Sequence, residues 1–250
     1  MILRRLGNKS KMAKTIVPYF PKHSIYIEPF FGAGGMFFNK PKVKYNIVND
    51  LDGDVFNLFQ IVTNRKDELI EQFEIMPIHS DLLAYWKENK EPEPLRRALR
   101  FLFLSNFTFM GKPSNIKFGT ENPKAIFNER IAKTFELIND VQFFNADFRE
   151  FFKILRETQA DKSFIYCDPP YLGTDDNYSN SFTEQDCIGL FDCLQKSKCR
   201  FAVSEFDNEF ILQQAKERAL HIHYLCERRN LGNTRTEILI TNYRNENTLF

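Results

Sequence analysis

The chain lacks any apolar run long enough to cross a membrane. Its greasiest stretch is Phe101-Leu102-Phe103-Leu104, against the roughly 18 residues that a span requires. It also lacks an apolar leader core: the opening MILRRLGNKSK puts charges where a signal peptide would need hydrophobic residues, which argues against secretion. Cysteine is scarce and odd in number, five with no tight pairing pattern, which does not build a disulfide framework and suits a reducing cytoplasm. Net charge is nearly absent at +1, so no global field draws the molecule onto a polyanion. Disorder is excluded as well, because 43% of residues are hydrophobic and 27% charged, the balance of an ordinary globular protein.

What is abundant is phenylalanine, 27 of 250 residues, enough for a large aromatic core and for stacking on planar ligands. Charge is also unevenly placed. Residues 1–27 carry six bases and no acid, and residues 95–133 carry eight bases against two acids. Residues 46–81 reverse this, with eight acids against two bases. Such runs are ordinarily solvated faces; a polyanion partner is the alternative they leave open.

β-rich runs at Ser24–Glu28, Tyr45–Asn49, Ser163–Cys167 and Arg200–Ser204 alternate with helical patterns near 148–158, 184–196 and 207–218. That alternation predicts an α/β fold with a parallel sheet covered on both faces. Two further runs, Leu220–Cys226 and Glu237–Tyr243, have no helix between them and predict an antiparallel hairpin at one edge. Residues 55–75, 80–90, 94–105 and 126–138 show helical periodicity instead, and 106–124 reads as an irregular loop or hairpin. The expected organisation is one α/β domain in two pieces, 1–54 and 146–250, split by a mostly helical insertion at 55–145.

The sharpest motif is Asp168-Pro169-Pro170-Tyr171, directly after an apolar strand. Open α/β sheets bind ligands at the carboxyl ends of their strands, which is where this tetrapeptide falls. Two prolines stiffen the chain and remove two donors, leaving a carboxylate, a free carbonyl and a phenol ring on display. Such a set suits a planar heterocycle with an exocyclic amine. A second motif, Glu28-Pro29-Phe30-Phe31-Gly32-Ala33-Gly34-Gly35, follows the first strand, and its glycines allow a tight turn and close approach by a ligand. It lacks G-x-G-x-x-G spacing, so alone it is weak. Asp50 closes the next strand where an acid can bind ribose hydroxyls, although a turn or helix-capping role is open there with Asp52 and Asp54 adjacent.

Together these pieces resemble the Dam-type DNA adenine methyltransferases of the alpha class, over nearly the whole chain. EPFFGAGG resembles that family's F-x-G-x-G loop through Phe30, Gly32 and Gly34, and DPPY is its catalytic tetrapeptide without departure. In LGNKSK, Gly7 and Lys9 fit the W-A-G-G-K-type motif, with Leu6 in place of the aromatic. Asp147 and Phe148 resemble the acidic and aromatic pair that flanks the cofactor adenine, with helix capping the alternative for Asp147. In the helical block, Asn115, Phe118, Gly119 and Asn122-Pro123-Lys124 fit the family's G-x-F-N-V-P-F-G region, whereas Lys117 stands where proline is usual.

The resemblance implies a Rossmann-like methyltransferase sheet that uses S-adenosylmethionine. Gly7, Lys9, Glu28, Pro29, Phe30, Gly32, Gly34, Asp50, Asp147, Phe148 and Asp168 would hold the cofactor, and Asp168, Pro169, Pro170 and Tyr171 would carry the chemistry. Lys11, Arg96, Arg97, Lys112, Asn115, Lys117 and Lys124 would meet double-stranded DNA. The reaction implied is methylation of the 6-amino group of adenine after the base is flipped out, by a monomer or weak dimer, with a cognate restriction endonuclease as an optional partner. An amino-cytosine methyltransferase, an RNA or protein amine methyltransferase and an inactive nucleic-acid-binding module are the competing readings. Metal catalysis has little support. His221 and His223 share a strand face without a third ligand, and Cys187, Cys193 and Cys199 recur every six residues, which is no zinc spacing. Cys167 reads as core.

Overall fold

The computed structural model describes residues 2–3, 8–109, 112–116, 123–155, 159–173, 182–230 and 233–245, with the backbone alone at 109, 112–116, 123, 228–230 and 233–234. Seven strands form one mixed sheet: β1 (Ile25–Glu28), β2 (Tyr45–Asn49), β5 (Gln142–Phe144), β6 (Ser163–Cys167), β7 (Arg200–Phe206), β8 (His221–Asn230) and β9 (Asn233–Thr241). Their spatial order is β5-β2-β1-β6-β7-β9-β8. The β5, β2, β1, β6 and β7 pairings are parallel, and β9 runs antiparallel between β7 and β8. The expected hairpin is therefore present, and its second strand enters the sheet. Two further strands, β3 (Thr108–Phe109) and β4 (Lys112–Ile116), make a separate antiparallel pair within the segment read as a loop or hairpin.

Period-2 alternation divides the strand side chains between two cores. Tyr26, Val48, Phe164, Tyr166, Ala202 and Leu239 pack on one face, against α1 (Ala13–Ile16), α2 (Gly53–Asn64), α3 (Lys66–Ile75) and α5 (Pro94–Phe107). Ile27, Ile165, Cys167, Phe201, Val203, Ile238 and Ile240 pack on the other, against α7 (Phe148–Ile154), α8 (Glu184–Ser197) and α9 (Glu209–Glu217). The parallel strands are covered on both sides, as such strands require. On the first face the core runs on without a break into the helical block, which also holds α4 (Ser80–Glu88) and α6 (Pro123–Ile138).

Two local differences from the sequence reading have simple causes. The single helical pattern at 55–75 is two helices, because Arg65 leaves helical geometry at φ −138° and ψ 37° while the apolar stripe continues across it. β5 has only three residues, too few to show a period, and it pairs with β2 inside the range assigned to the insertion. Cys167, Cys187 and Cys199 are buried free thiols. Among the described residues no acid, histidine and cysteine group could hold a metal, and no helix is long and apolar enough to cross a membrane.

Candidate active site at the carboxyl edge of the sheet

Chain order reverses between β1 and β6. From β1 the chain steps to β2 and, after the helical block, to β5 on one side, and α7 then carries it to β6 on the other. Such a reversal opens a crevice beyond the carboxyl ends of the two central strands. Glu28 ends β1 and Cys167 ends β6, so EPFFGAGG and DPPY leave neighbouring strands into the same crevice.

The glycine loop is shaped by backbone geometry and by one buried asparagine. Gly32 and Gly34 have φ of +54° and +71°, the left-handed region that favours glycine. A Cβ on Gly32 would meet nothing within 4 Å, whereas one on Gly34 would lie 2.4 Å from the Phe38 ring. Asn49, at the end of β2 and 1% exposed, donates from its amide to the carbonyls of Pro29 and Ala146, both at 3.0 Å. Its oxygen accepts the Ala146 N–H at 3.0 Å, so one side chain joins the ends of β1, β2 and β5. Asp50 accepts from the Gly32 N–H at 2.5 Å and from the Asp52 N–H at 2.8 Å.

The acidic run resolves into three tasks. Asp50 faces the loop, Asp52 caps α2 by accepting from Asp54 N–H, and Asp54 pairs with the Arg97 guanidinium. Glu28 is buried and takes a hydrogen bond from the Tyr26 hydroxyl at 2.8 Å; burial pushes its carboxyl well above the usual range. Asp147 caps α7, accepting the Arg149 N–H at 2.8 Å, while the Phe148 ring packs 5.6 Å from Phe30. Phe182, at the far end of the segment that follows DPPY, returns to both rings at 6.0 Å. Residues 174–181, between DPPY and Phe182, lie outside the described residues.

The DPPY tetrapeptide sits in a charged cluster. Lys9 lies in a single helical turn at Lys9–Lys11 whose start is capped by Asn8, and a Cβ on Gly35 would come within 2.1 Å of that cap and 2.8 Å of the Lys9 backbone. Glycine at 35 thus allows the N-terminal turn to seat on the glycine loop. From there the Lys9 ammonium, 3% exposed, reaches Asp168 at 3.1 Å and Glu237 of β9 at 2.9 Å. It also donates to the Tyr171 hydroxyl, which in turn donates to Glu237. The Tyr171 ring meets Phe206 edge to face at 4.7 Å. Burial pushes the Asp168 carboxyl above its usual value while the Lys9 charge opposes the rise. Glu205, 2% exposed, accepts from the Phe206 and Leu172 N–H groups, and burial pushes it up to about 8.

Lys9, expected against the cofactor, is therefore found on Asp168. Asn49, Glu205 and Glu237 were missed by the sequence reading. The available signal was a polar residue inside a strand run, Asn49 closing β2, Glu205 one residue before the end of β7 and Glu237 midway along β9, each buried where an unpartnered group would be costly. Of the residues expected on DNA, Lys11 and Arg96 are exposed, Arg96 pairing with Glu91 at 3.2 Å. Arg97 joins α5 to the start of α2 through Asp54, and Lys124 donates to the Glu74 carbonyl at 2.5 Å. Lys112 and Asn115 lie on β4, described by its backbone, and Gly7 and Lys117 fall outside the described residues.

The sheet order, the glycine loop and a carboxylate-bearing Pro-Pro element at the switch point define a Rossmann-like methyltransferase. Residues 6–231 match the model of the D12 class N6 adenine-specific DNA methyltransferases, and the chain belongs to that family. A DNA adenine methylase of Haemophilus influenzae is 32% identical over 68% of this chain and 63% of its own length. One from Serratia marcescens is 26% identical over 97% of both chains. The modification methylase StsI of Streptococcus sanguinis is 26% identical over 96% of this chain, which spans 42% of that protein. Among solved structures, an rRNA methyltransferase from Streptomyces viridochromogenes aligns over 94% of this chain and 83% of its own, with 13% identity and a TM-score of 0.43.

Proposed function

We propose that this protein methylates the 6-amino group of adenine in double-stranded DNA, using S-adenosylmethionine, after extruding the base from the helix. The observation that carries the reading is the place of Asp168. An adenine-specific family's tetrapeptide stands at the sheet's switch point, beside a glycine loop suited to a nucleoside cofactor.

The residues present fit that cofactor. Open space in front of Gly32, carboxyl groups at Glu28 and Asp50, and the Phe30 and Phe148 rings offer partners for an amino acid, a ribose and a purine. When bound, S-adenosylmethionine supplies a methyl group already activated by its sulfonium centre. Glu28, Phe30, Gly32, Gly34, Asp50 and Phe148 are the residues proposed to hold it, and Asp147 supports Phe148 as the cap of α7.

The amine needs activation from the protein, because its lone pair is delocalised into the purine ring. Asp168 and the Pro169 carbonyl accept its two N–H bonds, which favours a pyramidal nitrogen with a localised lone pair. The rigid Pro169-Pro170 backbone fixes those acceptors in place before the base arrives, so orientation supplies much of the rate. A stacked base is out of reach of these groups, and base flipping is the known solution for such chemistry. Tyr171 is proposed to stack on the flipped ring.

The helical block at 55–141, with its hairpin and its basic residues, is proposed to read duplex DNA. The basic segments 1–27 and 95–133, Lys11 and Arg96 among them, would contribute phosphate contacts, making binding steeply salt-dependent. The StsI relative is named a modification methylase, and on that name a restriction endonuclease is proposed as an optional companion. Asp168→Ala tests the reading: methyl transfer to DNA should vanish while gel shifts remain within about threefold of wild type. Full turnover by this variant would end the proposed role of Asp168.

A further inference from the structure

We infer that Glu237 is a positioning residue for methyl transfer, the anchor that holds Lys9 and Tyr171 against Asp168. The inference rests on the reaction proposed above. Its starting point is topology. The parallel strands β6 and β7 end at the catalytic edge, whereas β9 is antiparallel and passes that edge early in its course. Glu237 pairs in register with Phe206 on one side and Cys226 on the other, so its side chain arrives beside DPPY although it lies far away in sequence. Thr236 and Asp207 fix this register through two hydrogen bonds of 3.0 Å.

Three contacts converge on Tyr171 from this region. Its hydroxyl donates to Glu237, its ring meets Phe206, and Lys9 lies 4.3 Å from the ring centroid while donating to the hydroxyl. Glu237 is fully buried and Lys9 nearly so. A carboxylate in such a place needs a cationic partner, and Lys9 at 2.9 Å is that partner. The same ammonium is 3.1 Å from Asp168. Without Glu237, the Lys9 ammonium would keep Asp168 but lose the second carboxylate that fixes its position, and the Tyr171 hydroxyl would lose its acceptor. The Glu237 charge by itself raises the Asp168 carboxyl, so what its removal costs is the placement of Lys9 and Tyr171 and not the ionisation of Asp168. Glu237 touches neither the amine nor the methyl donor in this scheme; it acts through Lys9 and Tyr171.

The test uses the full chain with Glu237→Gln, which keeps size and shape, beside Tyr171→Phe and the double variant. Each variant is first matched to wild type by circular dichroism and thermal melting. We expect Glu237→Gln to lower kcat roughly 10- to 100-fold, the loss associated with a hydrogen bond between charged groups, with the Kd for S-adenosylmethionine and the KM for DNA within about threefold. Tyr171→Phe should lower kcat by a smaller factor, and the double variant should be no worse than Glu237→Gln, because both changes cut one linkage. Unchanged kcat in Glu237→Gln overturns the inference, and so do multiplicative losses in the double variant.

A second readout does not depend on activity. The buried Lys9 ammonium should give an exchange-protected lysine 1H–15N signal in wild type, and that signal should disappear in Glu237→Gln while other lysines stay put. Its survival overturns the inference even if Glu237→Gln loses activity. Wild type that leaves DNA adenine unmethylated would be a failure of the proposed function instead, with the lysine signal still deciding whether the clamp exists.

Discussion

Replacing Asn49 by alanine should be among the most damaging single changes in the sheet. Its amide and oxygen make three hydrogen bonds of 3.0 Å, to Pro29 O, Ala146 O and Ala146 N, at a site only 1% exposed. At about 1 kcal/mol net for each bond the loss is about 3 kcal/mol, and backbone groups left buried without partners push it toward about 5. Against a total stability of roughly 5–15 kcal/mol, that is a large share. For a chain of this size a loss of 3 kcal/mol lowers Tm by about 6–12 °C. Urea titration should show a lower midpoint with an unchanged m-value, the signature of lost stability within the same unfolding transition. Asn49→Asp should do no better, because it keeps an acceptor for Ala146 N–H but turns a carboxylate toward two carbonyl oxygens. Because the same side chain holds the Pro29 end of the glycine loop, Asn49→Ala should also weaken S-adenosylmethionine binding while leaving the Lys9–Asp168 contact intact. A stability change below about 0.5 kcal/mol, the level of an ordinary surface substitution, would refute the account of how the three strand ends are joined.

Other outcomes follow from the same geometry. Glu205 titrates near pH 8 in the folded chain against an ordinary value of 4.5, so between those values the folded state keeps a proton that the unfolded chain has released. Stability therefore falls by about 1.4 kcal/mol per pH unit as pH rises through that window, and Glu205→Gln should flatten the slope by that amount in urea titrations at pH 5, 6 and 7. An identical slope in the variant would show that Glu205 does not titrate there. Gly34→Ala places a Cβ 2.4 Å from Phe38 at a φ of +71°, and it should cost about 1–3 kcal/mol and weaken cofactor binding. Gly32→Ala carries the φ penalty without the clash, so calorimetric titration of S-adenosylmethionine should rank it the milder unless the cofactor itself fills that space.

The parts of the fold that were legible in the sequence are those whose signals are local. Tyr45–Asn49 and Ser163–Cys167 are short β-rich runs each followed by an aspartate, and they are strands with those bounds. The DPPY and EPFFGAGG segments could be set at strand ends because each directly follows such a run. β5 was invisible for want of length, and the break between α2 and α3 for want of a glycine or proline. The charged cluster was illegible for a different reason. Lys9, Asp168 and Glu237 come from the first, middle and last parts of the chain, and sheet topology alone brings them together. Lys9 reads from its motif as a cofactor contact, and no spacing rule says that it will be buried on the Asp168 carboxylate. The Asp50-Asp52-Asp54 run shows the same limit on a smaller scale, since alternating acids look equivalent until a loop amide, a helix start and an arginine divide them.

The most direct test of the central claim is to incubate the purified protein with S-adenosylmethionine and unmethylated duplex DNA, digest the product to nucleosides and weigh them by mass spectrometry. The account predicts N6-methyldeoxyadenosine in wild type and none with Asp168→Ala. Methyl on the amine of deoxycytidine, or no methyl on DNA while S-adenosylmethionine still binds, would contradict it.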